Sequence, residues 1–174
     1  VIGILLLLAL VTYSPSDPNF IFPENTEIQN ILGFQGSYIS DLFFQSIGVI
    51  SYLISITFLI TGINIFKAKN LFLIIENIFY SIFYCIFGSL FFNFFYKNTY
   101  ELYINGNGGF VGQYLNQAFF GDILNIQTII SYYFLFFLII IFFLISINFS
   151  PKGFLSNTKK LFNYVNKNKN KPYT

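Results

Sequence analysis

From Asp122 to Phe149 the sequence reads DILNIQTIISYYFLFFLIIIFFLISINF, with no charge after its first residue. About 20 consecutive apolar residues suffice for a helix to cross a bilayer, and a longer run crosses with tilt. This stretch therefore reads as a membrane span. Two further runs have the same character, Ser37–Phe66 and Leu71–Tyr96. A fourth, Val1–Val11, is too short to cross unaided and is expected to be the end of a span cut at its start. Asp41, Glu76 and Asp122 are the charged residues within the longer runs, each near an end.

Composition agrees with that reading. Of the 174 residues, 55% are hydrophobic and 9% are charged, with a mean hydropathy of +0.66. Soluble domains carry about 25% charged residues, so a water-facing surface cannot be built from this chain. A formal net charge of +2 is too small for a nucleic-acid binder, and no direct nucleic-acid contact is expected. There is no His and one Cys, Cys85, which removes His-based catalysis, Cys/His zinc sites and a disulfide framework. No metal or cofactor is expected. The chain has no Met and opens inside an apolar run, so it is expected to be a fragment or a processed product. Ile, Asn, Phe, Tyr and Lys abound and every basic residue is Lys, a bias toward A/T-rich codons.

The lysines orient the spans. Lys67 and Lys69 occupy the short turn Lys67–Asn70, and six more follow Pro151, which places eight of nine lysines on one side. The other side has Lys97 with Asp17, Glu24, Glu27 and Glu101. By the positive-inside rule the turn and the tail are cytoplasmic, as are both termini. A signal peptide over Val1–Val11 is disfavoured because no basic stretch precedes it and no small-x-small cleavage site follows. The fold class expected is an all-α membrane protein, a four-helix transmembrane bundle with short amphipathic helices in its extracytoplasmic loops. Residues 1–152 form the domain, with spans at about 1–13, 37–66, 71–96 and 122–149. Residues 153–174 form a tail with a brief helix over Phe154–Val165 and the start of a polar linker.

The first outer loop runs from Tyr13 to Gly36 and begins with turn formers through Pro18. Thr26 and Gln29 resemble a capping box for a short helix that Gly33 would end. The second loop, Lys97–Gly121, contains Asn105-Gly106-Asn107-Gly108-Gly109, a tight reversal. An amphipathic helix follows, with Phe110, Tyr114 and Phe119 on one face and Gln113, Asn116 and Gln117 opposite. Its polar face has no Lys or Arg for anionic head groups. Protein contact is therefore expected: the two loops pack into one cap that buries the aromatic face and leaves the amides open to a partner.

Inside the spans, Asp41, Gln45, Gly48, Tyr52, Ser55 and Gly62 share one face of a continuous second helix. Ser81, Cys85, Ser89 and Asn93 recur every fourth residue on the third, beside Gly88. Small and weakly polar stripes let helices approach closely in lipid, so packing is their expected role. Asp41 is expected to act structurally, near the N-terminus of its helix. No pair of ionisable groups meets at mid-depth to form a relay. Phosphate-loop and nucleophile-elbow signatures are absent, and the glycines at 106–112 follow no βαβ pattern.

Several strings together resemble the N-terminal four-transmembrane domain of FtsK/SpoIIIE-type bacterial DNA translocases. They are Thr12-Tyr13-Ser14-Pro15-Ser16-Asp17-Pro18, Leu32-Gly33-Phe34-Gln35-Gly36, Ser40-Asp41-Leu42 with Gln45 and Gly48, Gly62, Gly108-Gly109-Phe110-Val111-Gly112, and Gly121. The resemblance implies a membrane anchor that holds a hexameric ATP-driven DNA pump at the division septum during chromosome partition. It implies the lipid bilayer and other division proteins as partners, self-association through the parent hexamer, and residence in the bacterial inner membrane. It implies no catalytic role for this chain. The competing reading from the residues alone is a small four-span transporter, channel or lipid-modifying subunit.

Overall fold

A computed structural model describes residues 1–18, 27–97 and 105–153, apart from the side chain of Phe119. The capping role of Thr26, the tail helix over Phe154–Val165 and the polar linker lie outside the described residues. Among the described residues all regular structure is helical: α1 (Ile2–Val11), α2 (Gly33–Ile47), α3 (Ser51–Ala68), α4 (Phe72–Tyr96), α5 (Gly109–Leu115), α6 (Gly121–Ile126) and α7 (Thr128–Ser146). The Ile- and Phe-rich composition would favour strands in water. In lipid each backbone donor and acceptor must be satisfied within its own segment, and that requirement outweighs the propensity.

Among the described residues, three stretches are long and apolar enough to cross a membrane: Gly33–Ala68, Phe72–Tyr96 and Thr128–Ser146. α3 and α4 form a hairpin through the lysine turn, where Lys69 adopts a left-handed conformation (φ 52°) and its N–H closes onto the Ile65 carbonyl at 2.7 Å. α7 lies antiparallel to α4. Phe142 stacks on Phe83 and Phe87 with ring centroids 5.0 and 5.7 Å apart, and Tyr132 meets Phe91 and Phe95 nearer the other end. α1 runs antiparallel along α3. Gly3 gives the close approach, since a Cβ there would fall 2.6 Å from the Leu59 nitrogen.

The interior mixes small polar side chains with an apolar core around Ile50, Leu90, Phe91, Leu135 and Ile139, and the exterior is apolar. Ser51, Ser55, Thr57, Thr61, Asn77, Ser89 and Asn93 are buried, while Ile63, Ile75, Phe79, Phe134 and Phe137 are exposed. Thr57 Oγ1 pairs with Tyr84 Oη at 3.0 Å and with Ser146 Oγ at 3.3 Å, joining three helices. Asn77 Nδ2 donates to Thr61 Oγ1 at 2.7 Å, and Asn64 Nδ2 to the Ile147 carbonyl at 3.1 Å. Such bonds contribute about 0.6–2 kcal/mol each in a bilayer. Cys85 is buried in this core as a free thiol, and only Leu135, Ile139 and Ser146 of α7 are buried.

Four expectations about helix boundaries and faces need correction. The second apolar run is not one helix: it breaks at Gly48–Ile50 into α2 and α3, so its polar residues do not share one face. Gly62, placed on that face, has nothing within 4 Å of a Cβ position and packs against no neighbour there. Gly33 does not end a helix; it begins α2, its N–H bonded to the Asn30 carbonyl at 2.8 Å. The fourth run is also divided, at Gln127 (φ −141°), into α6 and α7.

Candidate functional site

At Gly48 the chain takes φ 71° and ψ −148°, a backbone region open essentially to glycine alone. The break frees a carbonyl and an amide within the bundle, where each needs a partner. Ser89 Oγ donates to the Ile47 carbonyl at 2.9 Å, and the Val49 N–H donates to the Asn107 carbonyl at 2.9 Å. The glycine-rich loop is thus the second half of the broken span's hydrogen bonding. Space is as restrictive as conformation: a Cβ on Gly48 would lie 1.9 Å from the Asn107 oxygen.

The loop is held to α4 by its own small residues. Cβ atoms at Gly108 and at Gly112 would each lie 2.2 Å from the Ser89 carbonyl oxygen, with Asn93 beside them. Gly109, with φ 64°, rests against the backbone of Ile47 and Gly48. Asn107 Nδ2 donates to the Tyr96 carbonyl at the end of α4. The Asn105 N–H reaches Gln45 Oε1 at 3.3 Å, and Asn105 Nδ2 reaches the Gln45 carbonyl at 3.2 Å.

Gln45 carries the network onward. Its Nε2 donates to Asp41 Oδ1 at 3.4 Å, and Tyr13 Oη donates to the same oxygen at 3.1 Å. The Tyr13 ring packs edge-on against Phe44, 4.9 Å between centroids, and Phe44 is fully buried with Leu6 and Leu10. Asp41 does not sit at a helix N-terminus as expected. It lies well inside α2, buried, and receives side-chain donors from two elements instead of backbone amides.

Asp17 closes the first loop. Its two carboxylate oxygens accept the N–H groups of Gln29 and Asn30, each at 2.9 Å. Asn30 Nδ2 in turn donates to the carbonyls of Ala9 and Thr12 at 2.9 and 3.2 Å. Gly36 leaves room for Asn30 Oδ1, which a Cβ would approach to 2.1 Å. The Pro18 carbonyl accepts Ser37 Oγ at 2.8 Å. Ser14 and Ser16 pair with each other at the surface, and Pro15 is exposed. Gly121 stands apart from this network, against the Asn116 carbonyl at the start of α6.

One continuous seam thus runs from α1 through the first loop and α2 to the second loop and α4. It brings together Tyr13, Asp41, Gln45, Gly48, Gly108, Gly109 and Gly112, and Asp17 anchors the loop beside it. Asn30, Ser89 and Asn107 complete it and were not singled out in the sequence as members. Ser89 was visible within a stripe, whereas Asn30 and Asn107 look like ordinary loop asparagines. The aromatic face of α5 is not buried in a cap as expected, while residues 19–26, 98–104 and the Phe119 side chain lie outside the described residues. α5 docks through its glycines, and Phe110 and Tyr114 are 59% and 65% exposed.

Residues 1–159 match the family model described as the 4TM region of DNA translocase FtsK/SpoIIIE. The chain belongs to this family. Similar proteins include the DNA translocase FtsK of Caulobacter vibrioides, 38% identical over 63 residues, which is 36% of this chain and 8% of that protein. The DNA translocase FtsK of Rickettsia bellii is 35% identical over 69 residues, 40% of this chain and 9% of that protein. Each match thus spans less than a tenth of the relative's length. No solved structure matches the chain. The seam is how this member of the FtsK/SpoIIIE 4TM family ties its two long loops to its helices. It holds two buried carboxylates whose bonds go to a loop's own amides and to neutral side chains. Its hydrogen bonds fix backbone geometry.

Proposed function

We propose that this chain is the membrane anchor and interaction domain of a cell-division DNA translocase, tethering a cytoplasmic ATPase motor to the septum for chromosome segregation. The observation that carries the reading is the seam. Apart from Gly62 and Gly121, the strings that resemble the family gather at one end of the bundle, where they hold loops in place. The polar groups deep in the bundle, Thr57, Tyr84 and Ser146, bond one another across three helices, whereas a transport path would hold ionisable groups there. A rigid, loop-stapled end suits a surface that other division proteins engage, while the opposite end, with Lys67, Lys69 and Lys152, faces the motor.

A fluorescent reporter joined after Thr174 in the parent gene tests this in dividing cells. Accumulation at the septum is the expected result, and uniform labelling of the envelope contradicts it. The proposed orientation has a separate test. In a Cys85→Ser chain, Ser16→Cys is exposed at the loop end and Asn70→Cys at the lysine turn. A membrane-impermeant maleimide applied to intact spheroplasts is expected to label the first and spare the second. The reverse pattern would place the termini outside.

A further inference from the structure

We propose that α5 is a re-entrant lipid anchor, with the Phe110–Tyr114 ring pair seated at the head-group and acyl-chain boundary of the bilayer. The inference rests on the membrane fold and not on the division role. Depth is the first observation. Gly108 and Gly112 both abut the Ser89 carbonyl, seven residues before α4 ends at Tyr96. That is about 10 Å along the helix axis. Tyr96 Oη bonds Tyr132 Oη at 3.0 Å, and Tyr133 beside them is exposed. Tyrosines gather where bilayer meets water, so this cluster marks the interface. α5 therefore lies on the membrane side of it.

The orientation of α5 is the second observation. Its buried residues are Gly109 and Gly112, and Gln113 and Asn116 are half-buried. Phe110 and Tyr114 point outward, stacked with centroids 6.3 Å apart and planes 24° from parallel. No charged residue occurs from Asn105 to Gly121. A helix with its polar side turned to water would carry Lys or Arg for the head groups. Here Gln113 and Asn116 are partly covered by the protein, Gln117 is exposed, and the Phe110–Tyr114 pair is free, so lipid fits that apolar pair and cations are not needed. On the inner side, Leu115 and Phe120 pack on the same core as Tyr132.

The chain has no Trp, so a single introduced indole reports alone. Phe110→Trp and Tyr114→Trp are each reconstituted into vesicles of phosphatidylethanolamine and phosphatidylglycerol at low protein density. Blue-shifted emission is expected in both. Lipids brominated near the head group should quench it more strongly than lipids brominated at the chain ends, and aqueous iodide should have no effect. Quenching by iodide at both positions overturns the proposal by placing the face in water. Shielding from both iodide and bromolipid also overturns it, since the face would then be covered by protein.

Discussion

Gly48→Val is expected to collapse the docking of the second loop and to destabilise the domain by about 3 kcal/mol or more. Two costs act together. A β-branched residue is nearly excluded at φ 71° and ψ −148°, and its Cβ would collide with the Asn107 carbonyl that a glycine accepts at contact distance. Relaxing either cost separates Val49 from Asn107 and leaves a backbone amide without a partner inside the bundle. Thermal unfolding in detergent checks the size of the effect. Gly62→Ala is the control: nothing lies within 4 Å of its Cβ position, and α3 loses a flexible residue from its interior. It is expected to leave stability unchanged or raise it by up to about 1 kcal/mol. Equal losses from the two substitutions would show that any glycine in this run matters through helix packing alone.

Asp17→Ala is the second large effect expected, at about 2–4 kcal/mol, because two amide bonds to one carboxylate disappear at once. Asp17 is only 3% exposed, so water does not replace it freely. Asn30 depends on this staple for its own hold on α1. Asp17→Asn should fall between wild type and Asp17→Ala, since the amide oxygen accepts one N–H while its NH2 opposes the other. Unfolding midpoints of the three chains provide the measurement. Identical midpoints for wild type and Asp17→Ala would contradict the staple.

The helical membrane class was legible because a run such as Phe134–Ile145 has one physical solution in lipid. The break at Gly48 was not. Gly48 and Gly62 look alike in a helical pattern, and only the contact with Asn107, fifty-nine residues away, distinguishes them. The docking face of α5 is the opposite of the one its pattern suggests, for a related reason. In water the large apolar side chains go inward, so Phe110 and Tyr114 seemed the docking face. In a bilayer they lose nothing by facing out, and close packing selects Gly108 and Gly112. Asp41 lies deeper than the hydropathy pattern suggests because α2 begins at Gly33, four residues before the apolar run at Ser37. The residues resembling the family were visible as strings, but their joining into one seam depends on partners such as Asn30, Ser89 and Asn107 that carry no pattern of their own.

The docking of the glycine-rich loop on the broken span is tested most directly by a disulfide trap. Asn105 approaches Gln45 through both its backbone and its side chain, at 3.3 and 3.2 Å. In a Cys85→Ser chain carrying Gln45→Cys and Asn105→Cys, mild oxidation of the membrane-embedded protein is expected to close a bridge within one chain, since each side chain already reaches the other residue's backbone. Persistence of two free, maleimide-reactive thiols under the same oxidation would contradict the seam.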